Sequence, residues 1–264
     1  MSDPEFQMIS IDNIPVAVCL PAGEPRGKLA VWLPYLGGDR HTVSHELKML
    51  ANAGYVAISL DPWLHGERKD NSKASLRTRV FKDFRAVMWP ILGYTTLDTF
   101  RIIDWAIREY SLAGDVVAGG VSAGGDIALA LAGIDKRIVR VAAIASTPDW
   151  LRPGMTDVMD QSKMIDQGEA TPQAQWFYDQ LNPATHTLRY LNRPLAMHFE
   201  LGGADTHIPA KHMMDFRDKI QAASPHQVAS INIRLVEAAK HISLIQKRAA
   251  LNACIEFLAR GTDV

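Results

Sequence analysis

The sequence predicts an α/β protein: a mostly parallel sheet of eight strands flanked by helices. Three observations point there. Short β-type apolar runs alternate with segments whose apolar residues recur at helical spacing, the pattern of a parallel sheet covered on both faces. The first two runs are separated only by Asp12-Asn13, a tight hairpin signal, so the sheet should begin with an antiparallel pair. The chain has 264 residues, 47% of them apolar, enough for one large closed core.

In order, strands are expected at residues 6–11, 14–20, 28–33, 55–60, 115–119, 138–145, 194–201 and 231–236. A helix over 45–53 would carry Leu47, Leu50 and Ala51 on one stripe, and one over 96–110 would carry Phe100, Ile103, Ile107 and Tyr110. Residues 126–132 form a further helical segment of small and apolar residues. No repeat or low-complexity linker interrupts this order, so residues 1–264 read as one domain.

Two connections are too long to be plain links. Residues 62–94 follow the fourth strand and are rich in charge, with Trp63, Phe81, Phe84 and Trp89 interleaved. Residues 146–193 separate the sixth strand from the seventh and hold Trp150, Met155, Met159, Met164 and Trp176-Phe177-Tyr178. An insertion at that point stands over the C-terminal edge of the sheet, where ligands bind. It is expected to form a helical cap, with Trp150, Trp176 and Phe177, together with Trp63, lining an apolar substrate pocket. Packing of the cap onto the body is the competing reading for each aromatic.

Gly120-Val121-Ser122-Ala123-Gly124 stands between the fifth strand and the helix that follows it. A GxSxG run at a strand-to-helix junction is a nucleophile elbow. Glycines flank the turn because it is too tight for side chains, and the serine is left at its tip. Serine needs a base within hydrogen-bond reach, and the base needs an orienting carboxylate. Asp205 follows the seventh strand in Gly202-Gly203-Ala204-Asp205-Thr206-His207-Ile208-Pro209, and His241 follows the eighth. Both lie at the same sheet edge as Ser122. His207, His212 and His226 are competing bases, but none of them follows the final strand. The oxyanion that develops on an attacked carbonyl needs two donors. Ala123 N–H is one, and the loop Leu33-Pro34-Tyr35-Leu36-Gly37-Gly38 should supply the other, with Leu36 the choice. Tyr35 could add a phenol donor or pack the pocket floor.

With these residues the chain resembles the α/β-hydrolase superfamily from about Lys28 onward, and within it the dienelactone-hydrolase-like and acetyl-esterase-like branch. The resemblance rests on Asp61-Pro-Trp-Leu-His65-Gly66-Glu67-Arg68, on Gly120-Val-Ser122-Ala-Gly124-Gly125 and on Gly202-x-x-Asp205-x-x-Ile208-Pro209. It implies that Ser122, Asp205 and His241 are nucleophile, acid and base, and that the 65–68 loop braces the site edge. Dienelactone hydrolases use cysteine where this chain has Ser122, so the resemblance implies an esterase. An amidase, peptidase or thioesterase would use the same machinery, and a non-catalytic ligand-binding relative is the reading from another class.

Other classes find little support. The balance of 28 basic against 29 acidic residues, net −1, offers no general attraction for nucleic acid or an anionic membrane. No apolar run is long enough to span a bilayer, and the chain is expected to be soluble and cytoplasmic. Cys19 and Cys254 are expected to be buried, reduced thiols. His41 and His45 share a helical spacing but lack a third ligand, so no metal is expected. The glycines near Ser122 miss the G-x-G-x-x-G spacing, so no nucleotide cofactor is expected. The expected partner is a small-molecule substrate, with a homodimer left open.

Overall fold

A computed structural model describes residues 4–23, 27–223 and 230–260. Its strands are β1 (Glu5–Ile11), β2 (Ile14–Leu20), β3 (Leu29–Leu33), β4 (Val56–Leu60), β5 (Val116–Val121), β6 (Ile138–Ile144), β7 (Ala196–Gly202) and β8 (Ser230–Val236). Each lies within a residue or two of its expected place. They form one sheet in the order β1-β2-β4-β3-β5-β6-β7-β8. β1 and β4 run antiparallel to β2, and every later pairing is parallel. The β1–β2 hairpin turns on Asp12 and Asn13 at φ of 51° and 65°, the positive pair that a two-residue hairpin of matching twist requires.

The helices are α1 (Ser44–Asn52), α2 (Leu76–Lys82), α3 (Phe84–Glu109), α4 (Ala123–Ile134), α5 (Pro172–Leu181), α6 (Lys211–Ala223), α7 (His241–Ile245) and α8 (Arg248–Ala259). Alternation along β3 shows why both sheet faces need covering. Leu29, Val31 and Leu33 enter the apolar layer under α3 and α4, whereas Ala30 and Trp32 enter the layer under α1 and α8. Cys19 and Cys254 are buried free thiols in that second layer. Among the described residues no helix is long and apolar enough to cross a membrane.

The chain passes from β3 outward to β4 and then returns to the other side of β3 as β5. Parallel neighbours whose connections leave in opposite directions open a crevice at their C-terminal ends, the usual ligand site of such sheets. The loops after β3 and β5 meet there.

One expectation is corrected by the helices. α3 was expected from residue 96 and begins at Phe84, because Pro90 and Gly93 interrupt the sequence pattern without ending the helix. The segment 146–193 holds one α-helix, α5, with two short 3-10 turns, and is otherwise irregular. α5 packs against α3: Trp89 and Tyr178 stack at 4.4 Å, and Tyr94 meets Phe177 edge-on at 4.8 Å. Gly93 makes this approach possible, since a Cβ there would overlap the Phe177 ring.

Candidate active site

The elbow is tightly packed beneath its tip. Ser122 sits at φ 52°, ψ −117°, a strained conformation costing on the order of 1–3 kcal/mol for a non-glycine residue. Neighbours hold it there: its N–H donates to Ile144 O at 2.8 Å, and its C=O accepts from Asp126 N–H at 3.1 Å. A Cβ on Gly120 would run into the Gly124 backbone, and one on Gly124 would overlap the Leu33 carbonyl. The end of β3 is therefore packed directly under the turn that presents the serine.

The three expected side chains meet above this turn. Ser122 Oγ lies 3.1 Å from His241 Nε2, and His241 Nδ1 lies 2.8 Å from Asp205 Oδ2. The second Asp205 oxygen, Oδ1, accepts the backbone N–H groups of His207 and Ile208, both at 2.9 Å. Asp205 is thus fixed by its own loop while its free oxygen points at the imidazole. With Nδ1–H donated to that carboxylate, Nε2 carries a lone pair toward the serine hydroxyl. His226, a competing base in the sequence, lies outside the described residues. His212 lies on α6 and is not part of the cluster.

A cavity of about 80 Å3 opens over Ser122, lined among others by Tyr35, Leu36, Phe81, His207 and His241. Ala123 is the first residue of α4, so its N–H has no intrahelical acceptor. The Leu36 N–H takes no acceptor among the described residues, and its side chain borders the same cavity. Tyr35 lines the cavity and is 40% exposed, which leaves its phenol free to turn toward a ligand.

The other expected pocket residues lie elsewhere. Trp63, Trp150, Trp176 and Phe177 do not line the Ser122 cavity. They build the seam between α3 and α5 instead: Trp63 packs on Tyr94, Tyr94 on Phe177, and Phe177 on Trp176. Trp150 is fully buried, its carbonyl accepting from Trp89 Nε1 at 3.0 Å. Area explains the difference, because a large apolar ring gains most where water is wholly excluded. The insertion reaches the cavity only through Val158, and the facing wall comes from Arg77 and Phe81 on α2 and Ile242 and Ile245 on α7. Ile242 and Ile245 stand one and four residues after His241, a helical spacing that sequence reading could have used.

His207 was set aside as a base, and it borders the cavity all the same. Its ring meets His241 at 4.9 Å, near edge-on, and Phe81 at 5.6 Å, while Nδ1 donates to Thr156 O at 2.8 Å. Burial, reinforced by His241 and Arg152, lowers its pKa to about 3, so it stays neutral beside the triad.

Two buried ion pairs brace the site. Arg152, at the root of the insertion, pairs with Asp126 on α4, whose other oxygen accepts Thr147 N–H at 2.7 Å. Arg40 pairs with Asp61, which also accepts the N–H groups of Arg40 and Glu67. The 65–68 loop wraps this carboxylate so closely that a Cβ on Gly66 would overlap it. Removing Arg152 would strand the buried Asp126 charge. Among the described residues, no group of His, Cys, Asp and Glu is arranged to hold a metal ion.

This arrangement of sheet, elbow and strand-end loops is the α/β-hydrolase fold. Solved structures share it across nearly the whole chain. TT1662 from Thermus thermophilus aligns with a TM-score of 0.69 at 18% identity, covering 98% of this chain and 100% of that one. The Pyrococcus furiosus esterase Pf2001 aligns at 0.63 and 16%, covering 97% and 92%. The acylaminoacyl peptidase of Pyrococcus horikoshii aligns at 0.70 and 15%, with 97% of this chain matched to 41% of that longer one. No protein-family model matches the sequence, and no curated protein matches it.

Proposed function

We propose that the protein is a serine hydrolase that cleaves a carboxylic ester of a small or medium-sized molecule through an acyl-enzyme. The observation that carries this reading is the hydrogen-bonded chain from Ser122 Oγ through His241 to Asp205, set on a strained elbow. His241 takes the serine proton as Ser122 attacks the ester carbonyl, and Asp205 stabilises the imidazolium that forms. The Ala123 and Leu36 N–H groups hold the oxyanion. His241 then protonates the departing alcohol, and water enters to repeat the sequence and free the acid. His207 assists by remaining uncharged, so the imidazolium forms beside a neutral ring. The same reading makes the protein a soluble, cytoplasmic enzyme of small-molecule metabolism. Two buried free thiols suit a reducing compartment.

A fluorophosphonate probe tests the nucleophile directly, by a mass increase on the peptide containing Ser122. Ser122→Ala should abolish labelling and lower ester turnover about 10⁴-fold. Retention of more than roughly a tenth of turnover, a loss under about 1.4 kcal/mol, excludes Ser122 as nucleophile. A panel of p-nitrophenyl esters beside aminoacyl anilides separates the chemistries. Ester turnover should dominate, and faster anilide cleavage would make the protein an amidase.

A further inference from the structure

We propose that the cavity adjoining the Ser122 site binds the anionic end of the substrate, a carboxylate or phosphate, so that the enzyme prefers acidic esters to neutral ones. The proposal rests on the serine-hydrolase reading for its chemistry, but not for its binding step. This second cavity, of about 480 Å3, is formed mainly by the segment between β4 and α2. Lys69, Lys73, Arg77 and Arg79 line it against a single carboxylate, Asp70. Asp70 is taken up by Arg79 at 2.7 Å, and the other three cations have no ion-pair partner among the described residues. In a protein whose net charge is −1, this concentration of positive charge is local.

The cavity lining also includes a buried histidine. This residue, His65, is only 2% exposed. Its Nδ1–H donates to Trp63 O at 2.8 Å, which leaves Nε2 as a buried lone pair, and that atom has no partner. Burial keeps the ring neutral.

Position and size connect this cavity to the reaction. Arg77 lines both cavities, and Gly37 on the rim of the larger one directly follows Leu36 in the smaller one. About 80 Å3 over Ser122 accommodates a short group on one side of the ester, whereas ligand pockets usually span about 300–1,000 Å3. The 480 Å3 cavity supplies the missing room for the larger half. Lys69, Lys73 and Arg77 are solvent-exposed, so each should contribute only a few-fold, and the effect should weaken with salt.

Matched substrate pairs test the preference. One series is p-nitrophenyl hemiesters of dicarboxylic acids of graded length, against their methyl-capped counterparts. The other is O-acetyl ω-hydroxy acids against their methyl esters. The acidic member of at least one series should show about tenfold higher kcat/KM, and the ratio should shrink as ionic strength rises. In Lys69→Gln/Lys73→Gln that ratio should fall at least about threefold, while the charge-matched control Lys136→Gln/Lys219→Gln keeps it. Binding is read separately on Ser122→Ala protein, where pyrophosphate or suberate should raise the melting temperature and the Lys69→Gln/Lys73→Gln background should remove the rise. Equal rates within both series, together with no melting shift, overturn the anion site even where neutral esters are hydrolysed. A melting shift that depends on the two lysines in a protein that turns over no ester keeps the site and overturns the hydrolase reading.

Discussion

The two long insertions, 62–94 and 146–193, make opposite use of their side chains. The second holds three methionines and the Trp176-Phe177-Tyr178 run and is expected to line a pocket, yet its large rings are spent on the seam with α3. The first is rich in charge with aromatics interleaved, and Arg77 and Phe81 from it line the cavity over Ser122. Apolar content reports where water will be excluded, and it does not say whether a ligand or the protein itself does the excluding. Cavity walls need only half-buried residues, so a segment of mixed composition serves them well.

The largest expected effect lies outside both insertions. Asp205→Asn should lower kcat by about 10⁴-fold, roughly 5 kcal/mol, with little change in KM, because an amide can favour the wrong imidazole tautomer. Steady-state kinetics check it. A loss that appears in KM instead would make Asp205 a substrate contact and leave the reacting groups to be sought elsewhere.

The contrast between the insertions is tested next. Phe177→Ala should destabilise the protein by about 3–5 kcal/mol in urea unfolding and leave the ranking of ester chain lengths unchanged. Phe81→Ala should do the reverse, shifting the ranking at a smaller stability cost. If Phe177→Ala reorders the substrates, the second insertion does shape the pocket and the comparison fails.

A third effect is pH-dependent. His207 titrates at about 3 in the folded protein against an ordinary 6.5. Between those values the unfolded chain binds a proton that the folded one refuses, so stability falls as pH drops through this window and levels off below it. The limiting slope from this group is about 1.4 kcal/mol per pH unit. Unfolding free energies measured between pH 6.5 and 4.5 should fall less steeply in His207→Gln, whose amide can still donate to Thr156 O. An unchanged slope would mean that His207 takes its proton in place.

The smallest effect completes the comparison. Trp176 is 53% exposed, so Trp176→Ala should change stability by no more than about 0.5 kcal/mol and leave ester turnover alone. A larger loss would show that its contact with Phe177 matters more than its exposure suggests.

These outcomes reflect what the sequence could express. The strands were legible because full burial writes itself as short apolar runs, and the hairpin because Asp12-Asn13 tolerates positive φ. Ser122, Asp205 and His241 were legible together because each follows a strand end in a fixed chain order, and the structure brings them within hydrogen-bond distance. The start of α3 was hidden because Pro90 and Gly93 oppose helix locally, and the packing of Phe177 that favours it there is non-local. His65 was read as loop bracing, and its orphaned Nε2 becomes visible only in three dimensions. Arg77 and Phe81 carried no signal, since nothing in a charged helix marks the side that will face a cavity.

Gly93 and Phe177 have a consequence for how this protein can change. One belongs to the first insertion and the other to the second, and the ring occupies the notch that the missing side chain leaves. Neither position can be edited alone: a methyl at 93 evicts the ring, and a small residue at 177 leaves the notch empty. The two insertions therefore fit together as a matched set. A graft of 146–193 into another framework would carry a key without its lock, and exchanging the cavity-facing wall on α2 is the edit that leaves this fastening untouched.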